Sequence, residues 1–223
     1  MIWRLRISIL MQNGKIEYQT IGNAKPRGIC GSGLIDCIYE LAKNRIIDGE
    51  GKFNTFAKNK RIIEIDGEVH FILAGSGETE TGKELTITES DISNLIRSKG
   101  AVFAAIKSLI DYIGLSFEDI HTFFVAGGFG SYLDIPRAVG IGLLPDIDPH
   151  RIQFVGNSSL MGARMALLSS HAYERTLQIA KGMTNIELST YQPFMDEYVA
   201  AMFLPHTDKR LFPSVDYSAK EDG

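Results

Sequence analysis

Apolar and polar positions alternate over residues 2–10 and again over 16–21, with Asn13-Gly14 between them, which predicts a hairpin with a tight turn. The stretch from Gly22 to Gly33 is rich in turn formers. It opens into a helix with Leu34, Ile38 and Leu41 on one face and Ser32 placed as its cap. Residues 49–60 read as polar loop, and 61–65 with 69–73, joined by Asp66-Gly67, predict a second hairpin. After a flexible polar stretch at 75–83, Thr88-Glu-Ser-Asp91 has the spacing of a capping box, with Asp in place of the usual Glu or Gln. It starts the longest predicted helix, reaching about Ile113, whose apolar stripe is Ile92, Ile96, Phe103, Ile106, Ile110 and Ile113. Strands at 122–126 and 151–155 each run into glycine, the second leading to a helix from Asn157-Ser158. Such units imply parallel pairing with crossover helices. The pattern predicts an α/β fold, a mixed sheet with flanking helices. A short strand at 186–188 and a last helix over 193–204 complete a domain spanning 1–204, and 205–223 read as a surface tail.

Composition narrows the partners. The chain has 223 residues, 44% of them hydrophobic, enough for one large core or two small ones. A net charge of −4 gives no reason to expect nucleic acid or an anionic membrane. No apolar run approaches the roughly 18 to 20 residues that span a bilayer. The opening Met1-Ile-Trp-Arg-Leu-Arg-Ile carries two arginines in an alternating pattern, so it reads as strand and not as signal peptide. A cytoplasmic location is expected. Cys30 and Cys37 form no disulfide framework in a chain this long, and two thiols cannot supply the usual four ligands of an iron–sulfur cluster. The five histidines are scattered, with no metal ligand at helical spacing, so no bound metal is expected.

The strongest local signal is the run from Phe123 to Asp134, in which a buried-strand pattern ends in Gly127-Gly128-Phe129-Gly130. Glycine there allows positive φ and a close backbone approach to a flat or phosphorylated ligand, at the carboxyl end of a parallel strand where open sheets bind ligands. The competing reading is a turn whose glycines only solve a packing problem. Lys99 falls on the stripe between Ile96 and Phe103, where an apolar residue is expected. It must find a partner or a route to solvent: either its stem covers apolar surface while the charge escapes, or it faces a cleft, with Arg97 beside it. Gly156-Asn157 at a helix start suits an anion but also simply caps a helix. Gly31 and Ser32 could approach phosphate likewise, with Lys25 and Arg27 close by in sequence. Gly77 to Glu84 imitates a P-loop but ends in Glu where Ser or Thr must bind magnesium, and leads into a strand. Asp66-Gly-Glu-Val-His70 lacks the spacing and the following glycine of the cobalamin-histidine motif.

Taken together, the segments from Lys25 to Asp36, Ile92 to Ala101, Val125 to Asp134, Ile141 to Pro145 and Val155 to Ala163, and the ending Leu204-Pro-His-Thr-Asp208, resemble the C-terminal region of the reductive activators of corrinoid proteins. The match is to the type that serves O-demethylase and other corrinoid methyltransferase systems. The resemblance implies a ribonuclease H-like half of an actin-like ATPase domain. It also implies ATP or ADP with magnesium, a [2Fe–2S] cluster in an N-terminal domain outside this chain, a corrinoid protein as partner, and a homodimer. In that family, ATP use drives the uphill step from Co(II) to Co(I). By resemblance, Gly127, Gly128, Phe129 and Gly130 form the adenosine loop, backed by the helix of Arg97 and Lys99. The Asp-x-Gly-Thr phosphate loops of the superfamily are not found in the sequence, so they are expected upstream of Met1, with weak or undetectable hydrolysis by this chain alone and no residue assigned as general base. Two rivals remain: a small-molecule kinase using Asp134 or Asp146, and a non-catalytic dimerisation or docking module.

Overall fold

The computed structural model describes residues 5–6, 16–55, 59–128 and 133–217. Phe129 and Gly130 lie outside the described residues, as does most of the first predicted hairpin. Of that hairpin, β1 (Leu5–Arg6) pairs antiparallel with β2 (Gln19–Thr20).

The first helix, α1 (Gly31–Lys43), is capped by Cys30, whose Sγ accepts from the Gly33 amide at 3.4 Å, and not by the expected Ser32. Ser32 lies inside the first turn, buried, with its hydroxyl 3.3 Å from that sulfur. The buried set of α1 includes Ile35, Cys37, Ile38 and Leu41, and also Asp36 and Glu40. The helix is covered on more than the one face its apolar spacing predicts.

Next, β3 (Ile62–Ile65) and β4 (Glu68–Ala74) form the predicted hairpin, with Ile65 opposite Glu68. Asp66 and Gly67 have φ of 51° and 82°, the paired left-handed residues of a two-residue hairpin turn. A third strand, β5 (Leu85–Thr88), pairs antiparallel with β4 and feeds directly into α2 (Glu89–Tyr112). The capping box is present in full. Thr88 Oγ1 accepts from the Asp91 amide at 3.1 Å, and Asp91 Oδ2 accepts from the Thr88 amide at 3.0 Å. Along α2, Ile92, Ile96 and Phe103 are buried with Phe71, Leu73 and Ile87 of the sheet and Ile38 and Leu41 of α1, in one core cluster.

The parallel unit follows. β6 (Phe123–Ala126) and β7 (Ile152–Gly156) pair in parallel, as predicted, with α3 (Ile135–Gly140) between them in sequence and α4 (Ser158–Leu168) after them. α5 (Ser170–Gly182) packs on α4, and α6 (Gln192–Ala200) packs on α2. Among the described residues the strands fall into three hydrogen-bonded sheets.

Two further expectations are corrected. Residues 186–188 form no strand; a single 3-10 turn runs from Leu188 to Thr190. The segment from Pro205 is no surface tail as far as Tyr217, because Pro205 and His206 are buried and Phe212 is 1% exposed, ringed by Phe103 and His206. Its apolar residues find their partners far back in the chain, on α2.

Candidate functional site

The carboxyl ends of β6 and β7 lie side by side. The Gly127 amide donates to the Gly156 carbonyl at 2.7 Å, so the two predicted glycine turns meet. The register slips by one residue between Val125 and Ala126, leaving Val155 as the extra residue of a bulge that re-aims Gly156. Gly127 has φ of 101° and Gly156 of 65°, a region that L side chains rarely occupy. A Cβ built on Gly127, Gly128 or Gly156 would meet no described atom within 4 Å. Among the described residues, no packing contact requires glycine at these three positions. Asn157 caps α4, its Oδ1 accepting from the Leu160 amide at 3.0 Å, so the first amides of that helix point toward the same end of the strands. The opposite, amino end is closed by Arg151, whose guanidinium donates to the carbonyls of Glu118 and Ile120 at 2.9 and 3.0 Å.

Elsewhere glycine is a packing residue. Gly142 has φ of 76°, and a Cβ there would collide with the Pro205 carbonyl oxygen and come within 3.1 Å of Lys99 Nζ.

That contact locates Lys99, which is corrected: it does not face a cleft. The side chain is 0% exposed, and its Nζ donates to the carbonyl oxygens of Phe203 and, at 2.7 Å, Pro205. Burial lowers its pKa to about 7. The lysine clamps the chain after α6 onto α2. Arg97 stands exposed on α2. Among the described residues no hydrogen bond or ion pair joins Arg97, Gly31 or Ser32 to the glycine turns. Lys25 donates to the Gly77 carbonyl at 2.9 Å, which ties the P-loop look-alike to the turn before α1.

The sequence reading missed one cluster. Arg137 of α3 reaches Asp36 Oδ2 at 3.2 Å and Glu40 Oε1 at 3.3 Å, both on α1 and all three side chains largely buried. Burial raises the Glu40 pKa, against the pull of Arg137. Two acids four residues apart on a buried helix face were the available signal, since like charges at that spacing repel unless a cation lies between them. A cavity of about 740 Å³ between the end of α1 and the segment from Phe203 to Tyr217, lined by Arg45, His206 and Lys209 among others, shares no residue with the glycine turns.

The parallel strand pair, its following helices and the antiparallel strands ahead of it make an α/β domain. Over residues 5–216 the chain matches the family described as the C-terminal domain of RACo, the ASKHA domain, and it belongs to that family. It is 32% identical over 195 residues to the corrinoid activation enzyme RamQ of Eubacterium limosum, covering 84% of this chain and 33% of that protein. It is 27% identical over 177 residues to the [Co(II) methylated amine-specific corrinoid protein] reductase of Methanosarcina barkeri, covering 78% of this chain and 29% of that one. Among solved structures, a reductive activator for corrinoid, iron-sulfur protein superposes with a TM-score of 0.86 at 48% identity, over 95% of this chain and 33% of the other. The chain thus spans about a third of the length of the relatives it matches.

Proposed function

We propose that this chain is the C-terminal nucleotide-binding part of an ATP-dependent reductive activator that returns corrinoid proteins from Co(II) to Co(I). The observation that carries the nucleotide reading is the pair of positive-φ glycines, Gly127 and Gly156, bonded together at the ends of parallel strands, with no described atom within 4 Å of where a Cβ would stand. Gly127 and Gly128 suit an adenosine because they carry no side chain of their own to hold a ligand off the backbone. The first amides of α4 after Asn157 supply positive dipole toward its phosphates. When bound with magnesium, ATP supplies the free energy that makes the reduction favourable.

The reduction adds one electron to cobalt. A [2Fe–2S] cluster in another part of the intact protein is the proposed donor, and the corrinoid protein of a methyltransferase system is the proposed acceptor. This chain's own work is to bind and orient the nucleotide and to pass its presence on as a change in shape. We place the protein in the cytoplasm as a homodimer; among the described residues no helix is long and apolar enough to cross a membrane. Both acids of the kinase alternative accept structural hydrogen bonds. Asp134 accepts from the Arg137 amide at 3.0 Å as the cap of α3, and Asp146 accepts from the Ser214 amide and hydroxyl at 2.7 and 2.8 Å.

Calorimetry with ADP on the intact protein and its Gly128→Val variant tests the reading. A branched side chain at that position should weaken binding tenfold or more, and unchanged affinity would overturn the adenosine assignment.

A further inference from the structure

We infer that the cavity between the end of α1 and the segment after Phe203 binds an organic acid with an apolar body, its anionic end held by Arg45 and Lys209. The cavity shares no lining residue with the glycine turns, so the inference stands apart from the adenosine reading.

The walls are fixed by the fold itself. The Leu204 amide donates to the Gly49 carbonyl at 2.9 Å, tying the loop after α1 to the returning chain. Lys99 of α2 holds the Phe203 and Pro205 carbonyls, and Tyr217 donates its hydroxyl to the Gly140 carbonyl. At about 740 Å³ the space falls within the range of small-molecule pockets, about 300–1,000 Å³. Ile47, Leu204, Phe212 and Val215 give it an apolar side.

Its charged groups are not equivalent. Asp48 Oδ1 is already engaged, accepting from the amides of Glu50 and Lys52, each at 2.9 Å. Asp216 has a partner as well. His206 Nδ1 accepts from the Asp208 amide at 2.9 Å, and its Nε2 lies 3.0 Å from Glu197 Oε1, so that ring serves the fold. Arg45 and Lys209 are exposed, and among the described residues neither side chain makes a hydrogen bond or an ion pair.

The position of Arg45 is the telling one. It follows the Asn44 cap of α1 at φ of 56°. Its amide donates to the Ala42 carbonyl and the Ile46 amide to the Leu41 carbonyl, both at 2.9 Å. In that helix-ending motif the left-handed residue is ordinarily glycine. The other non-glycine residues at positive φ among the described residues are Asn23 and Asp66, whose short polar side chains suit the region. Arginine there costs the fold stability, and no contact of its side chain within the fold offsets the cost. What the strain secures is a guanidinium on the cavity wall, a planar donor suited to a carboxylate.

The probes are pyrenebutyrate, its neutral counterpart pyrenebutanol, and butyrate, with affinities read by calorimetry on the intact protein. Pyrenebutyrate is expected to bind, and the alcohol and butyrate to bind about tenfold more weakly or worse. Arg45→Gly is expected to melt no lower than wild type, since glycine suits a φ of 56°, yet to bind pyrenebutyrate about tenfold more weakly. Lys209→Met should weaken binding several-fold with melting unchanged. ADP is expected not to displace the probe.

Equal affinity for acid and alcohol, or full affinity in both variants, overturns the inference, because adhesion to apolar surface then explains the binding. Displacement by ADP overturns it too, by making the cavity the nucleotide's own place. If the wild type binds no pyrenebutyrate the inference also falls, and binding restored by ending the chain after Tyr217 would show that residues 218–223 are the occupant.

Discussion

At the scale of single residues, Lys99 shows how a site signal and a folding signal can share one letter. A cation on an apolar stripe demands a partner, and the partner is the backbone of residues 203 and 205, more than a hundred positions away. Its pKa near 7 lies below the ordinary lysine value near 10.4, so between those limits the unfolded chain binds the extra proton. Stability therefore rises with pH across that window, and the full cost of burying the charge is felt below pH 7. A neutral amine keeps two N–H groups for its two carbonyls, so deprotonation breaks no bond. Chemical denaturation should show the wild type gaining about 1.5 kcal/mol from pH 7 to 8.5, a gain that Lys99→Met lacks. The range stops at 8.5 because the buried Cys37 thiol, pushed up by desolvation, costs stability once thiols ionise in the unfolded chain. Gly142→Ala strikes the same clamp from the other side. It puts a methyl group into the Pro205 carbonyl at φ of 76° and is expected to cost about 3 kcal/mol or more in the same assay.

At the scale of elements, what depends on neighbours in sequence was legible and what depends on distant neighbours was not. The capping box at Thr88 and the Asp66-Gly67 turn are fixed by residues within three positions, so the spacing alone predicts them. Thr88→Ala should cost about 1 kcal/mol, read as a lower denaturation midpoint with an unchanged slope. The strand expected at 186–188 fails because a strand needs a partner, which periodicity does not supply. The cap of α1 moved from Ser32 to Cys30 because the helix begins one residue before the hydroxyl, a boundary that composition does not fix. Residues 205–217 read as tail because they are polar and proline-containing, while Leu204, His206 and Phe212 seal α2 over long range. Among the proposed site residues, the strand ends carrying Gly127 and Gly156 were legible, since strand–glycine–helix units repeat a known geometry. The cluster around Arg137 was not legible, because its acids lie about a hundred positions back.

At the scale of the whole molecule, the packing is uneven, and that unevenness makes the nucleotide proposal measurable. α1, α2, the three-stranded sheet and the segment after Leu204 share one core cluster, whereas no residue of α4, α5 or α6 is fully buried. Leu167 and Leu168 of α4 are 85% and 73% exposed, and Phe124 of β6 is 61% exposed. Amides in weakly packed elements exchange through local opening, those of the core only through larger unfolding. Without nucleotide, the amides of α4 and α5 should therefore exchange well before those of α1 and the middle of α2. A ligand stabilises what it binds by mass action and leaves other local openings alone. ADP at saturation should slow exchange at Gly128 and in the first turn of α4 most, with a smaller effect along β6 and β7, and slow the middle of α2 near Lys99 only by as much as it raises the free energy of global unfolding. Protection centred instead on the first turn of α1, at Gly31 to Gly33, would mean that the nucleotide meets the other glycine-rich turn and that Gly127 and Gly156 are open for a different reason. The two turns lie on separate elements, so a single exchange map distinguishes the two placements.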